Sequence, residues 1–438
     1  MNGYAYTVKK RVRRAAVPLA CGGADGALPL GLRGENGTLC AGTDMQPLPA
    51  EGLPEGVQAV FAANGAYLAV AGGAAYVRTA NAAAFSRASL TFARVPACVR
   101  VYDDAAGEAL LLSDGEKSAL LTADGLSEEG VPAFTAAAYA FERLWLATGE
   151  CGGARLRYSS FRDWRDFAEE AGGGGYADLP DGKGRVVALA DFENYIYVFR
   201  SYGVQRLYAR GDERAFELRD AWACARVYGQ TVAVCGGRIV WLGEDGLHAF
   251  DGSAASSFAP GFSARLCGTE QTDARGCAAN GRYYLQAEAR LSGGRARALV
   301  SFAEDGSEGS ALSGAFGGLA CCGGRALAVY GGAPCVLREG AVRGGLCMRR
   351  AWEGTVYPPA GAALLQRLHL DADAGFAVTV EGARGTRTFR AAKGGAQSFP
   401  VALFGAKFRV RIEGTGQCGR VRSLAASWAY EEAAYDGQ

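Results

Sequence analysis

The sequence predicts an all-β protein that is built by repetition of a short sheet unit, and three observations support this prediction. Glycine makes up 64 of the 438 residues and is spread among Val, Leu, Tyr and Phe without a collagen-like period, which indicates many turns between short strands. Apolar runs of strand length recur along the chain and are separated by turn dipeptides such as Gly-Gly and Asp-Gly. The chain is also longer than one ordinary domain of roughly 100 to 200 residues, so it contains several domains or grows by repetition.

The repeated unit is clearest at residues 235–252, in the stretch CGGRIVWLGEDGLHAFDG. The dipeptides Gly236-Gly237 and Asp245-Gly246 separate its apolar runs, which predicts three short antiparallel strands joined by two tight turns. Six comparable units begin at Asn64, Gly107, Tyr139, Leu189, Cys277 and Cys321. Several successive starts are about 43 residues apart, which is the length of a four-stranded propeller blade. The sequence therefore predicts a β-propeller of seven blades, within a range of six to eight.

Closure of the units into a ring follows from the physics of short hairpins. An isolated hairpin is marginally stable in water, whereas blades stacked around an axis bury both of their faces against neighbours. Runs such as YIYVF and RLWLAT are apolar on both faces, as that stacking requires. The alternative is a pair of unrelated β-sandwiches with evenly spaced strands, which give similar turn signals.

The two ends of the chain differ from the repeated part. Residues 1–60 are rich in Gly, Pro and Leu without clear periodicity, which predicts an extended N-terminal arm, part of which supplies a closing strand for the ring. The propeller is assigned to residues 61–356, and Tyr357-Pro358-Pro359-Ala360-Gly361 is the expected linker. Clean alternation at Phe408, Val410 and Ile412 predicts a β-sandwich-like domain over residues 362–432.

Charge and composition exclude several classes of protein. With 46 basic and 45 acidic residues the formal net charge is +1, so no overall field attracts the chain to nucleic acid or to a membrane surface. No run approaches the roughly 20 apolar residues of a membrane-spanning helix, so no membrane partner is expected. Thirteen cysteines, an odd number, are scattered without a CxxC motif, which favours buried reduced thiols and an intracellular protein.

A local basic cluster lies near the N-terminus, in the stretch VKKRVRR. Its cations are Lys9, Lys10, Arg11, Arg13 and Arg14. No apolar stretch long enough for a signal-peptide core follows, so we do not expect secretion. Three interpretations stay open for the cluster: binding to an acidic patch of a partner, contact with DNA, or a solvated disordered tail.

The residue types that catalysis needs are scarce. Histidine occurs only at His248 and His369, in different predicted domains, which supports neither a histidine-based triad nor a multi-histidine metal site. The two EDG segments fall at predicted hairpin tips, where turn geometry explains Asp-Gly. The glycine-rich stretch 171–184 lacks the Gly-Lys-Ser/Thr ending of a phosphate-binding loop. We therefore expect no enzymatic activity, no metal and no cofactor.

One predicted loop is unusually rich in aromatic and arginine side chains. It lies within RLRYSSFRDWRDF, residues 155–167. The candidate interface residues are Tyr158, Phe161, Arg162, Trp164, Arg165 and Phe167. This composition is typical of contact surfaces, but a loop that folds back over its own blade has the same composition. Ser160 to Trp164 approaches the Asp-box turn of propeller glycosidases but lacks its glycine and threonine, which makes glycoside hydrolysis the weaker alternative.

Between about residues 139 and 262, several segments follow one another in a characteristic order. They are Arg143-Leu144-Trp145, Tyr158-Ser159 with Trp164, Leu179-Pro180-Asp181-Gly182, Val198-Phe199-Arg200-Ser201 and Leu242 to Gly252. This order resembles the propeller proteins of tailed bacteriophages, of the packaged-DNA stabilisation and tail-nozzle type, and Arg200 stands where lysine is usual in that family. The resemblance covers under a third of the chain. Its turns Asp181-Gly182, Asp245-Gly246 and Asp251-Gly252 define blades and no chemical site.

The resemblance implies a non-enzymatic virion component of the head-to-tail connector, nozzle or tail, which lines or seals the channel through which DNA leaves. It implies a homo-oligomeric ring, sixfold if it matches a portal-type axis, with portal, adaptor or other tail proteins as partners and possible contact with DNA. The protein would be assembled in the cytoplasm of the bacterial host and reside in the virion tail or neck. The alternative is a carbohydrate- or receptor-binding propeller, in which Trp145, Trp164 and Trp222 stack on sugars.

Overall fold

Tight turns set where each short strand of this chain ends. Gly236 and Gly237 have φ angles of +54° and +72°, and Asn64 and Gly65 have φ angles of +42° and +82°. Positive φ at two successive central residues is the type I′ turn, whose twist matches that of a β-hairpin. The computed structural model of the chain describes residues 6–19, 30–35, 38–169, 173–179, 182–266, 270–291, 294–340, 345–346, 348–359, 361–391, 394–414 and 420–435.

The chain forms two compact units. The first, called the sandwich unit, comprises Met1–Met45, Glu308–Leu312 and Arg338–Gln438, and the second, called the propeller unit, comprises Gln46–Ser307 and Ser313–Leu337. Four strands precede the first repeated sheet: β1 (Tyr6–Val17), β2 (Leu32–Glu35), β3 (Thr38–Ala41) and β4 (Thr43–Pro47). No helix among the described residues is long and apolar enough to cross a membrane.

Seven antiparallel sheets of four strands follow along the chain and form the blades. Blades 1 to 4 are built from β5 (Val57–Ala63), β6 (Ala66–Ala71), β7 (Ala74–Arg78), β8 (Ser86–Thr91), β9 (Ala97–Asp103), β10 (Gly107–Ser113), β11 (Ser118–Thr122), β12 (Gly125–Glu129), β13 (Ala136–Ala140), β14 (Arg143–Ala147), β15 (Arg155–Tyr158), β16 (Gly175–Asp178), β17 (Val186–Phe192), β18 (Tyr195–Arg200), β19 (Gly203–Tyr208) and β20 (Glu217–Trp222). Blades 5 to 7 are built from β21 (Ala233–Cys235), β22 (Arg238–Gly243), β23 (Gly246–Phe250), β24 (Ala255–Ser257), β25 (Arg275–Ala279), β26 (Arg282–Leu291), β27 (Gly294–Ala303), β28 (Gly309–Ser313), β29 (Phe316–Cys322), β30 (Arg325–Tyr330) and β31 (Ala333–Glu339).

The first strand of each blade is the innermost, and these strands contact one another around an axis. Contacts run from β9 through β13, β17, β21 and β25 to β29, β29 contacts β5, and β5 contacts β10 of the second blade, which closes the ring. The seventh sheet has the order β29-β30-β31-β4, so the N-terminal part of the chain supplies its outermost strand. The prediction of a seven-bladed β-propeller is confirmed.

Burial within the blades follows the apolar runs of the sequence. All five residues of β14 are buried, and so are five of the six residues of β18. Both faces of these strands are covered because neighbouring blades pack on each side. Helical structure among the described residues is limited to the short helix α1 (Pro260–Ser263) and 3-10 turns at Glu150–Gly153, Glu213–Ala215 and Gly229–Thr231.

The sandwich unit consists of two sheets that share one core. Its later strands are β32 (Arg350–Val356), β33 (Ala363–Ala372), β34 (Phe376–Gly382), β35 (Gly385–Arg390), β36 (Gly395–Gly405), β37 (Phe408–Gly414) and β38 (Val421–Tyr435). One sheet has the order β2-β3-β38-β33-β36, with β1 also paired to β38, and the other has the order β32-β37-β34-β35. Leu365, Leu368 and Trp428 of the first sheet and Val378 and Phe408 of the second lie in one buried cluster.

The ends of the propeller differ from the sequence-based boundaries. Residues 1–60 do not form an extended arm: β1 pairs with β38 along its whole length, and Leu32 and Leu39 of β2 and β3 are fully buried in the sandwich core. Strand β32, assigned to the propeller range 61–356, belongs to the sandwich sheet, where Trp352 is buried. The sandwich therefore extends beyond residues 362–432, because buried apolar side chains from both ends of the chain complete its core.

Candidate functional site

The axis of the propeller is a narrow cavity of about 320 Å³. It is lined mainly by small side chains because seven strands converge there and leave no room for larger ones. All seven innermost strands contribute, for example Ala97, Ala136, Ala188, Ala233, Gly276 and Ala320. The axis therefore offers little space.

A larger pocket of about 630 Å³ opens at one mouth of this axis and is called the mouth pocket. Its polar lining residues are Gln58, Arg94, Ser113, Asp114, Thr135, Gln230, Asp273 and Arg275. Ala97, Thr135, Gln230 and Arg275 line both the mouth pocket and the axial cavity, so these four residues mark their junction. Loops and strand ends of blades that are distant in the sequence meet here.

Asp114 fixes one side of the mouth pocket. Its side chain accepts hydrogen bonds from the backbone N–H groups of Ala93 at 2.7 Å, Glu116 at 3.0 Å and Lys117 at 3.1 Å. Burial alone raises the pKa of Asp114, but these hydrogen bonds outweigh it and hold the pKa below its usual value. Both carboxylate oxygens are occupied by the turn that they organise, so Asp114 is a structural residue.

Two arginines of the mouth pocket are differently placed. Nε of Arg94 donates to the backbone oxygen of Asp114, and a Cβ at Gly115, whose φ is +85°, would lie 2.0 Å from Nη2 of Arg94. Nη1 of Arg275 donates to Oε1 of Gln230 at 3.2 Å. Neither guanidinium forms an ion pair with a carboxylate in the part of the chain that the structure describes. The pocket can therefore bind a ligand through cations and hydrogen-bond donors.

Sequence reasoning missed both arginines, although one signal was present. The innermost strands of the other six blades begin with Val57, Ala97, Ala136, Val186, Ala233 and Phe316. The sixth blade begins instead with Arg275, so a cation stands where its counterparts are apolar. Aligning the first residues of the seven innermost strands would have identified Arg275 as the charged exception. The same alignment would not identify Arg94, because Arg94 lies in a loop outside the aligned strands.

The predicted interface loop packs mostly on the protein itself. Trp164 is 5 % exposed, and its Nε1 donates to the backbone oxygen of Tyr102 in the neighbouring blade at 2.9 Å. Arg165 stacks 4.0 Å from the centre of the Trp164 ring and bonds to Asp103 at 2.6 Å and to Glu129 at 3.1 Å. The loop thus joins blade 3 to blade 2.

The other members of this loop divide between the core and the surface. Tyr158 is buried, and burial together with the nearby Glu213 raises its pKa to about 12. Phe167 is half-buried, whereas Phe161 is 49 % exposed. Arg162 is also exposed and forms an ion pair with Glu142. Of the six candidates, Phe161, Arg162 and Arg165 are exposed.

The basic cluster lies on strand β1. Arg11, Arg13 and Arg14 are exposed, while the side chains of Lys9 and Lys10 lie outside the described residues. The strand pairs in register with β38, so the prediction of a disordered tail is wrong. These cations occupy an edge strand, where charge discourages unwanted pairing of sheets.

The blade-defining turns use their acidic residues for structure. Oδ1 of Asp251 accepts hydrogen bonds from Oγ of Ser253 at 2.7 Å and from the backbone of Ser253 at 3.0 Å. Gly252 has φ of +95°, Gly246 has φ of +127° and Gly182 has φ of +72°. Asp245 bonds to the ring of His248 at 2.8 Å, and Asp181 lies outside the described residues.

Histidine, cysteine and acidic side chains do not cluster into a metal site among the described residues. No group of three His, Cys, Asp or Glu side chains is placed to hold a metal ion among them. His369 bonds to Oγ of Ser427 at 2.8 Å, and burial and nearby arginines lower its pKa. Nine cysteines are described and none forms a disulfide; Cys151 is the exposed one among these nine.

The tryptophans considered for sugar stacking are not available as platforms. Trp145 is fully buried and Trp164 is nearly so. Trp222 is half-buried and stacks against Phe250 at 4.4 Å and Trp241 at 5.8 Å between ring centres. All three pack within the propeller.

No protein-family model matches the chain, and no curated protein matches it. Solved structures similar to it include BamB from Moraxella catarrhalis, at 10 % identity and a TM-score of 0.39, covering 76 % of this chain and 98 % of that one. The Neurospora crassa Pan2 WD40 domain is 10 % identical with a TM-score of 0.40, covering 66 % and 90 %. The extracellular domain of BT4673 from B. thetaiotaomicron is 11 % identical with a TM-score of 0.45, covering 91 % and 61 %. The chain is a seven-bladed β-propeller with an additional β-sandwich unit.

Proposed function

We propose that this chain is a non-enzymatic structural component of a tailed-phage virion, which assembles into a ring at the connector, nozzle or tail. The proposal is supported chiefly by the way in which the segments of the phage-like pattern are joined in the structure. Val198 to Arg200 end strand β18, and the loop that begins at Leu179 precedes strand β17 of the same blade. Arg200 connects the two segments directly.

The side chain of Arg200 is 1 % exposed and acts as a buried connector. It donates to the backbone oxygens of Gly184 at 2.8 Å and Leu179 at 3.1 Å, and to Oε1 of Gln205 at 3.0 Å. A long cation at this position therefore holds the turn that enters the blade. Two segments of the pattern that resembles phage propellers, at Leu179 and at Val198 to Arg200, are therefore in direct contact through the side chain of Arg200.

Arg143 plays a similar part in the preceding blade. It is 4 % exposed and donates to the backbone oxygens of Ser159 at 2.7 Å and Gly173 at 2.9 Å. Oγ of Ser159 accepts a hydrogen bond from the backbone N–H of Leu144 at 2.9 Å. The Arg-Leu-Trp and Tyr-Ser segments are thus coupled, which favours a rigid blade as the feature that the pattern maintains.

DNA would pass between copies of the chain and not through one propeller. The axial cavity has a volume of about 320 Å³. A double helix is wider than its major groove, which is about 12 Å across, and does not fit in a space of this volume. A channel therefore requires a closed ring of subunits with head-to-tail contacts. The cations of β1 are candidates for such contacts or for the lining of the channel.

Multi-angle light scattering of the purified full chain, alone and mixed with the portal protein of the same phage, tests this proposal. The expected result is a closed homo-oligomer, sixfold with a portal-type axis, either alone or on addition of the portal. A monomer at micromolar concentration that forms no complex with the portal would contradict the proposal.

A further inference from the structure

We propose that the mouth pocket binds a small organic carboxylate, whose carboxylate group pairs with Arg275 and Arg94. The pocket volume of about 630 Å³ lies within the roughly 300 to 1,000 Å³ typical of small-molecule sites. Its opening towards solvent gives a ligand access, and its floor at Arg275 adjoins the axial cavity. This proposal does not depend on the virion role.

Arg275 carries the argument because of where it lies and what it contacts. It stands at the junction of the two cavities, it is half-buried, and its recorded hydrogen bond goes to the neutral amide oxygen of Gln230. A guanidinium has five N–H donors, and removing it from water without an anion is unfavourable. Burial correspondingly lowers the pKa of Arg275. A carboxylate can satisfy the exposed edge of this group through two parallel hydrogen bonds.

Arg94 supplies a second cation that the turn beneath it holds in place. Its Nε is used by the backbone oxygen of Asp114, and Gly115 lets the guanidinium lie against the turn. Arg94 is exposed and lines the pocket, so its guanidinium is accessible to a bound anion. A pre-positioned guanidinium loses less conformational entropy when an anion binds.

The acidic residues of the pocket favour a carboxylate over a phosphate. Asp114 is occupied by three backbone N–H groups, as described above. Asp273 is exposed, lines the same pocket and attracts Arg275 electrostatically. Its negative charge repels an anion, and it does so more strongly for phosphate, which concentrates two charges on one group, than for a dicarboxylate such as succinate, whose second charge lies farther away.

Isothermal titration calorimetry with succinate, inorganic phosphate and the neutral analogue succinamide tests the proposal on the full chain. We expect saturable succinate binding at low ionic strength, with phosphate binding more weakly and succinamide not binding. Arg275→Gln and Arg94→Gln should each weaken succinate binding at least tenfold. The matched control Arg87→Gln removes an exposed arginine outside the pocket and should leave binding unchanged.

The Asp273→Asn variant should change the affinity for succinate in the opposite direction to the two arginine substitutions. Because it removes a negative charge from the pocket, it should strengthen succinate binding several-fold. Circular dichroism and thermal melting of each variant check that the fold is retained. The proposal is overturned if the wild type binds none of the anions, if phosphate binds more tightly than succinate, or if folded Arg275→Gln binds succinate as the wild type does. Weaker succinate binding by Asp273→Asn would also overturn it.

Discussion

At the scale of single residues, buried cations and turn carboxylates in this propeller are structural. Arg143 and Arg200 donate to backbone oxygens, and Asp114 and Asp251 organise turns. Such residues resemble functional ones in a sequence because both kinds are polar in an apolar context. Only the hydrogen-bond partners distinguish a structural polar residue from a functional one, and the sequence does not show these partners.

Replacing Arg200 by methionine should destabilise the propeller by about 3 kcal/mol, because the buried oxygen of Leu179 and the partly buried oxygen of Gly184 both lose a charged donor. Urea denaturation monitored by fluorescence measures the change in the free energy of unfolding. The control Arg87→Met removes an exposed arginine and should change it by less than about 0.5 kcal/mol. Equal effects of the two substitutions would contradict this account of Arg200.

Asp251 should make a pH-dependent contribution to stability. Hydrogen bonds from the side chain and backbone of Ser253, and from the backbone of Ala254, lower its pKa to about 2. The unfolded value is about 3.9, so the contribution is fully present above about pH 4 and is lost as the pH falls towards 2. The difference in urea midpoint between the wild type and Asp251→Asn should therefore shrink between about pH 5 and pH 3. A difference that is constant over this range would count against the assignment.

At the scale of elements, the blades were predictable because their strands pair with sequence neighbours. Type I′ turns at positions such as Gly236-Gly237 set hairpins locally, so spacing and turn dipeptides suffice to find them. The same signals do not show whether the loop after β15 forms an interface or packs on the protein itself. Aromatic and arginine side chains suit an interface and self-packing equally, and only the contacts of Trp164 and Arg165 with blade 2 distinguish the two.

Replacing Trp164 by alanine should cost about 3 to 5 kcal/mol, since a nearly buried indole and its hydrogen bond to Tyr102 are lost. Phe161→Ala in the same loop is the matched control and should cost less than about 1 kcal/mol, because Phe161 is 49 % exposed. Chemical denaturation of both variants measures the contrast. If Phe161→Ala were the more damaging substitution, the loop would not join the blades as described.

At the scale of the whole molecule, contacts between distant parts of the chain escaped prediction. Strand β1 pairs with β38, near the opposite end of the sequence, so no local pattern could place it in the sandwich. Arg94 and Arg275 share a pocket only because the ring brings loops of blades 1 and 2 near the start of blade 6. Ring closure by β4 is also a long-range pairing, but it agrees with the expectation that part of residues 1–60 supplies a closing strand.

The two units together suit a role as rigid building material. Buried arginines join segments within blades 3 and 4, and the Trp164 loop joins blade 3 to blade 2. The described residues present no metal site, and Asp114 and Asp251 are held by the turns that they organise. Assembly into a larger ring is therefore the property on which the proposed function depends.

Cryo-electron microscopy of phage particles produced from a genome that encodes this chain tests that role most directly. The predicted result is seven-bladed density repeated around the tail axis next to the portal, with the sandwich unit resolved in each copy. Particles that lack this density, and from which mass spectrometry recovers no peptide of the chain, would contradict the account.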